Sequence, residues 1–79
     1  MTTVQVLGTG CRKCAQLAEN AQQAIAAAGV DATVEKIDDV NQIVLFGVMI
    51  TPALAIDGEV KLMGKVASPE EIRQLLLAQ

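Results

Sequence analysis

Cys11-Arg12-Lys13-Cys14 contains both cysteines of the chain. Two thiols with two residues between them can cycle between dithiol and disulfide, and beside a strand–helix pattern this spacing reads as a redox site. A short apolar run, Val4-Gln5-Val6-Leu7, ends at Gly8-Thr9-Gly10 just before the pair, and an alanine-rich helical pattern begins at it. A thiol at a helix N-terminus faces unpaired backbone N–H groups and the positive end of the helix dipole, which favour thiolate over thiol. Cys14 lies one turn further along the same face, within reach of a short disulfide. The expected division of labour is therefore Cys11 as attacking sulfur and Cys14 as resolving sulfur. A closed zinc site needs four ligands, and the chain has no histidine and no third cysteine, so only dimerisation could complete one. A structural staple is disfavoured because a two-residue gap removes little loop entropy. Arg12 and Lys13 read equally as a solvated face or as Coulombic support for the Cys11 thiolate.

Composition narrows what these thiols can serve. Seventy-nine residues, 52% of them apolar, are expected to form one small domain spanning residues 1–79 with a packed core. Phe46 is the sole aromatic and the net charge is −3, so neither stacking platforms nor a phosphate-tracking stripe exist and no nucleic-acid partner is expected. No apolar stretch reaches membrane-spanning length. Met1-Thr2-Thr3-Val4 lacks the basic region and apolar run of a secretory signal, so a cytoplasmic monomer is expected. In that reducing compartment, paired cysteines serve catalysis or metal binding more often than structure.

The remaining pattern supplies the elements that must hold the pair. From about Arg12 to Ala28, Cys14, Leu17, Ala18, Ala21, Ile25 and Ala28 recur at helical spacing, with Gly29 as the stop. Asp31 to Lys36 reads as a second strand. Asp39 can cap a second helix, with Gln42 at the capping-box position, Val40, Ile43 and Val44 as its apolar side, and Gly47 ending it. Asp57-Gly58 between Pro52–Ile56 and Glu59–Leu62 signals a two-residue hairpin. Ser68-Pro69-Glu70-Glu71 opens a last helix that buries Ile72, Leu75 and Leu76. The order is βαβαββα: an α/β fold with a four-stranded mixed sheet and helices on both faces.

With Cys-x-x-Cys after the first strand, this element order and Thr51-Pro52 opening the third strand, the chain resembles the thioredoxin-like superfamily. In particular, it looks like the small glutaredoxin-like redox-active disulfide proteins of archaea and bacteria. Gly8-Thr9-Gly10-Cys11, Gly47-Val48-Met49, Thr51-Pro52-Ala53-Leu54 and Asp57-Gly58-Glu59-Val60 carry that likeness over essentially the full length. The resemblance implies a cis bond before Pro52, packed beside the cysteines. Thr51 would then offer its backbone to an extended substrate, with Ile50 and Met49 as an apolar rim. Gly10, Arg12 and Lys13 would support the thiolate.

The chain also departs from these families. Thioredoxins carry tryptophan just before the first cysteine and a buried aspartate six residues before it; here those positions are Gly10 and Gln5. Glutaredoxins place proline and tyrosine inside the motif and hold glutathione with a Gly-Gly-Asp-type site, of which only Gly64 has a counterpart here. The expectation is a thiol–disulfide oxidoreductase acting on disulfides of proteins or small molecules. It needs no metal or organic cofactor, and its external electron donor is expected to be a thioredoxin reductase rather than glutathione. The alternative is a soft-metal-binding thiol module or metallochaperone. Such carriers run βαββαβ and end on a strand, so topology separates the two.

Overall fold

The computed structural model describes residues 2–10 and 12–78. Its elements are β1 (Thr2–Leu7), α1 (Arg12–Ala28), β2 (Ala32–Ile37), α2 (Val40–Leu45), β3 (Ala53–Ile56), β4 (Glu59–Met63) and α3 (Pro69–Leu77). This is the expected βαβαββα order. It ends on a helix, unlike the βαββαβ order of paired-thiolate metal carriers. The strands lie in the order β2-β1-β3-β4. β1 runs parallel to β2, as a helical crossover requires, and antiparallel to β3, which pairs antiparallel with β4.

Strand alternation divides the interior into two cores. Val4 and Val6 of β1 and Leu54 and Ile56 of β3 point to the face covered by α1 and α3, where Leu17, Ala21, Ile72 and Leu76 close over them. Leu7, Ala53 and Ala55 point to the other face and meet Ile37, Ile43 and Val48. Each buried Leu, Ile or Val side chain contributes about 1.5–3 kcal/mol of transfer free energy, so the larger cluster under α1 dominates. Alanines at 18, 21 and 24 let α1 lie close to the sheet and to α3.

Local chemistry explains the boundaries. Asp57 and Gly58 both take positive φ, 52° and 85°, and join Ile56 to Glu59 as the right-handed strand twist demands of a two-residue hairpin. Asp57 also exchanges hydrogen bonds with β1: its N–H donates to Thr3 O at 2.8 Å, and its Oδ1 accepts from Thr3 N–H at 2.9 Å. Between Leu54↔Leu62 and Ala55↔Val60 the register slips by one, so Lys61 is the extra residue of a bulge. Ser68 and Glu71 form the expected reciprocal capping box, with Pro69 in the first turn.

The second helix differs from its sequence reading. Asp39 does cap it, accepting from Asn41 N–H at 2.8 Å, but the reciprocal bond from Gln42 is not formed. Only Ile43 is buried, while Val40 and Val44 are exposed. A six-residue helix makes fewer than two turns and offers a single inward position, which Ile43 fills.

Candidate functional site

The end of β1, the start of α1 and the turn before β3 converge at one end of the sheet. Cys11 lies outside the described residues. Cys14 sits in the first turn of α1 on its inward stripe, 6% exposed, and is disulfide-bonded. Its burial matches the helical spacing that assigned it the inner position. Arg12 and Lys13, at the start of the same helix, are both exposed.

Gly8 brings Cys14 and Pro52 together. A β-carbon on Gly8 would overlap Cys14 Sγ, approach Cys14 Cβ to 3.0 Å and come within 4.0 Å of Pro52 Cα. The missing side chain is therefore the space the sulfur occupies. Gly8 was not among the candidate site residues. Its signal was present in Gly8-x-Gly10, where the strand exit explained both glycines equally well. Gly10 does need its residue type for conformation, at φ 83°.

On the far side of Gly8 the Thr51–Pro52 peptide is cis, as the resemblance implied. Pro52 is buried, and its carbonyl accepts from Gly64 N–H at 2.8 Å. Thr51 is exposed and makes no backbone hydrogen bond among the described residues. Ile50 lies over Gly64, where a β-carbon would come within 2.9 Å of Ile50 Cγ2. Gly64 thus fixes two neighbours of the turn, through its N–H and through its lack of a side chain.

Two depressions flank the Gly8–Gly10 loop. An apolar groove of about 600 Å³ is lined by Val40, Val44, Val48, Met49 and Thr51. Leu45 and Met49 are 84% and 92% exposed, with Val40, Val44 and Ile50 also in the open. Val40, Val44 and Met49 thus combine exposure with a place along this groove. The sequence reading had assigned Val40 and Val44 to packing, and so missed their part in it. The second depression, about 250 Å³, lies against Cys14 and is lined by Val6, Gly8, Gly10, Ala15, Lys36 and Asp38.

Gln5 occupies the position where an acid would be sought in β1. It is buried, its side-chain oxygen accepts from Gly58 N–H at 3.1 Å, and strand alternation turns it to the face of Leu7, away from α1. Among the described residues no group of three or more His, Cys, Asp or Glu side chains could hold a metal ion. No helix of the described chain is long and apolar enough to cross a membrane.

Comparison with known proteins agrees with this geometry. The family model described as "Thioredoxin domain" matches residues 2–77. A thioredoxin of Methanothermobacter thermautotrophicus is 47% identical over 76 residues, covering 96% of this chain and 99% of that protein. A thioredoxin of Methanocaldococcus jannaschii is 41% identical over 76 residues, covering 96% of this chain and 87% of that one.

Proposed function

The chain belongs to the thioredoxin-domain family and is a thiol–disulfide oxidoreductase, and on that premise we propose that its working dithiol is Cys11 and Cys14. The observation that carries the proposal is the burial of Cys14, in its disulfide-bonded form, against Gly8 and close to Pro52. A shielded sulfur cannot meet a bulky partner first, so it suits resolution, and the first attack falls to Cys11. Cys11 thiolate attacks a substrate disulfide to give a mixed disulfide. Cys14 then attacks Cys11, closing the internal bond and releasing the reduced substrate.

Gly10 and the charges of Arg12 and Lys13 support the attacking thiolate in this reading. Ile50, Thr51 and Pro52 receive the substrate. Thr51 has backbone groups free of internal partners among the described residues, suited to pairing with an extended segment. The apolar surface from Val40 to Ile50 extends the contact to partner proteins. The substrates are disulfides of proteins or small molecules, and a thioredoxin reductase, rather than glutathione, supplies the electrons. The protein works as a cytoplasmic monomer built on one domain over residues 1–79.

Alkylation over a pH series tests the assignment. Cys11 should be labelled first and at the lower pH, and Cys14→Ser should accumulate mixed disulfides with substrate. Cys11→Ser should be unreactive. Preferential labelling of Cys14 reverses the roles. Turnover with thioredoxin reductase and with glutathione, each as sole donor, decides the electron source.

A further inference from the structure

The depression against Cys14 has a use that the dithiol reading leaves open. In the parallel pairing of β1 with β2, Val6 stands beside Lys36 and Leu7 beside Ile37, and Gly8 N–H continues the ladder to Ile37 O at 2.9 Å. Side chains alternate along a strand, so Lys36 and then Asp38 share the α1 face with Val6 and Gly8. Cys14 comes down on that same face. The result is the cavity of about 250 Å³ walled by Cys14, Lys36 and Asp38, and both charged residues are also open to solvent. It is polar at its mouth and many times larger than one water, so it can hold a hydrogen-bonded water chain.

Resolution of a mixed disulfide requires Cys14 to lose its proton, and burial in apolar surroundings opposes that loss. Gln5 cannot accept the proton: it is an amide, turned to the opposite face and already bonded to Gly58. We propose that Asp38 serves as the proton-relay residue for Cys14, acting through water in the cavity that both residues line. The proposal rests on the dithiol reading above.

The step balances as follows. With Cys11 joined to the substrate sulfur, the Cys14 S–H proton passes through water to the Asp38 carboxylate. Cys14 thiolate then attacks Cys11 Sγ, the Cys11–Cys14 bond forms and the bond to the substrate sulfur breaks. The departing thiolate takes up a proton from Asp38 or solvent. The dithiol has lost two electrons and the substrate disulfide has gained them.

Other charges near this corner are accounted for. Arg12 and Lys13 lie on the exposed side of α1, and Asp39 is engaged at the N-terminus of α2. The neighbouring strand β1 and the Pro52 turn bring no ionisable side chain to the cavity.

Rapid mixing of the reduced protein with an aromatic disulfide that releases a coloured thiol at each step separates the two phases. Asp38→Asn should leave the first release unchanged and slow the second by about a hundredfold near neutral pH, the lower end of general acid–base catalysis. The deficit should narrow as pH rises, because hydroxide then takes the proton without a relay. Asp38→Glu should restore much of the rate. A second phase in Asp38→Asn that matches the wild type between about pH 5 and 9 overturns the inference. Equal slowing of both phases also overturns it, by showing a merely structural role. If the wild type itself releases no thiol, the dithiol reading falls with it, which separates the two failures.

Discussion

Gly8 is the residue on which the redox corner turns. Any β-carbon there occupies the space of Cys14 Sγ, and the backbone on either side is pinned by the β1–β2 ladder. Gly8→Ala must therefore displace the sulfur or the strand. Overpacking of this kind costs about 1–3 kcal/mol, and a misplaced resolving thiol slows closure of the disulfide. We expect a lower midpoint in chemical denaturation together with at least tenfold slower turnover, since about 1.4 kcal/mol in a barrier is a factor of ten. Wild-type turnover would show that Cys14 has room the packing does not suggest. Met49 is the opposite case, a side chain in contact with almost nothing. Met49→Gln should leave stability within about 0.5 kcal/mol and weaken KM for a protein disulfide while sparing a small aromatic disulfide. Equal KM for both substrates in the variant and the wild type would remove Met49 from the docking surface.

Among the elements, α3 carries its own folding instructions. The Ser68 hydroxyl accepts from Glu71 N–H and the Glu71 carboxylate accepts from Ser68 N–H, each at 3.2 Å. Lys65 Nζ lies 2.7 Å from the same carboxylate. The hydrogen bond from Lys65, then that from the Ser68 backbone, holds Glu71 below its ordinary pKa of 4.5. A lowered carboxylate pKa stabilises the folded state above the unfolded pKa, and that contribution is lost as pH falls through the folded value. The pair is exposed, so the effect is local: the first turn of α3 should loosen on acidification below about pH 4, before the sheet responds. Ser68→Ala should cost about 1 kcal/mol, while Lys65→Met should raise the Glu71 pKa toward 4.5, read by side-chain carboxyl NMR. An unmoved Glu71 in Lys65→Met would mean that the Ser68 backbone N–H alone sets its titration. The helix α2 has no comparable independence. One buried side chain holds it, and its value lies in the valines it leaves outside.

At the scale of the whole molecule, the corner that holds Cys14 borders the main core at Val6. The core beneath α1 and α3 draws on Val4, Val6, Leu17, Leu54, Ile56 and Ile72, and Cys14 lies outside that cluster. A bond across two intervening residues constrains little chain. Oxidised and reduced forms should therefore share one fold, with amide shift changes clustered at residues 8–15 and 48–53. Large changes across α3 would instead identify a redox-driven rearrangement. Leu54→Ala, in the main core, should cost about 2–5 kcal/mol, a large share of the ~5–15 kcal/mol that holds a domain folded. It should act by unfolding the protein, leaving the thiol chemistry of the folded fraction intact.

Much of this architecture is local and so was readable in the chain. Helical spacing placed Cys14 on the inward stripe of α1. Asp57-Gly58 specified a hairpin, because few residues tolerate two successive positive φ angles, and Ser68-Pro69-Glu70-Glu71 specified the start of α3. The βαβαββα order followed, and with it the mixed sheet. Other features depend on residues distant in sequence, where spacing carries no signal. The requirement for glycine at position 8 comes from a sulfur on α1. The burial of Asn20 depends on a partner 47 residues away, Ala67, whose carbonyl accepts its amide at 2.9 Å. Val40 and Val44 have an apolar pattern that reads as packing, and only the place of α2 beside the Thr51 turn makes them a surface. Nothing in the sequence pattern singles out Lys36 or Asp38, and it is the parallel register of β2 on β1 that sets them beside Cys14. Periodicity reports which face of an element a residue takes; what that face meets is decided by packing between elements.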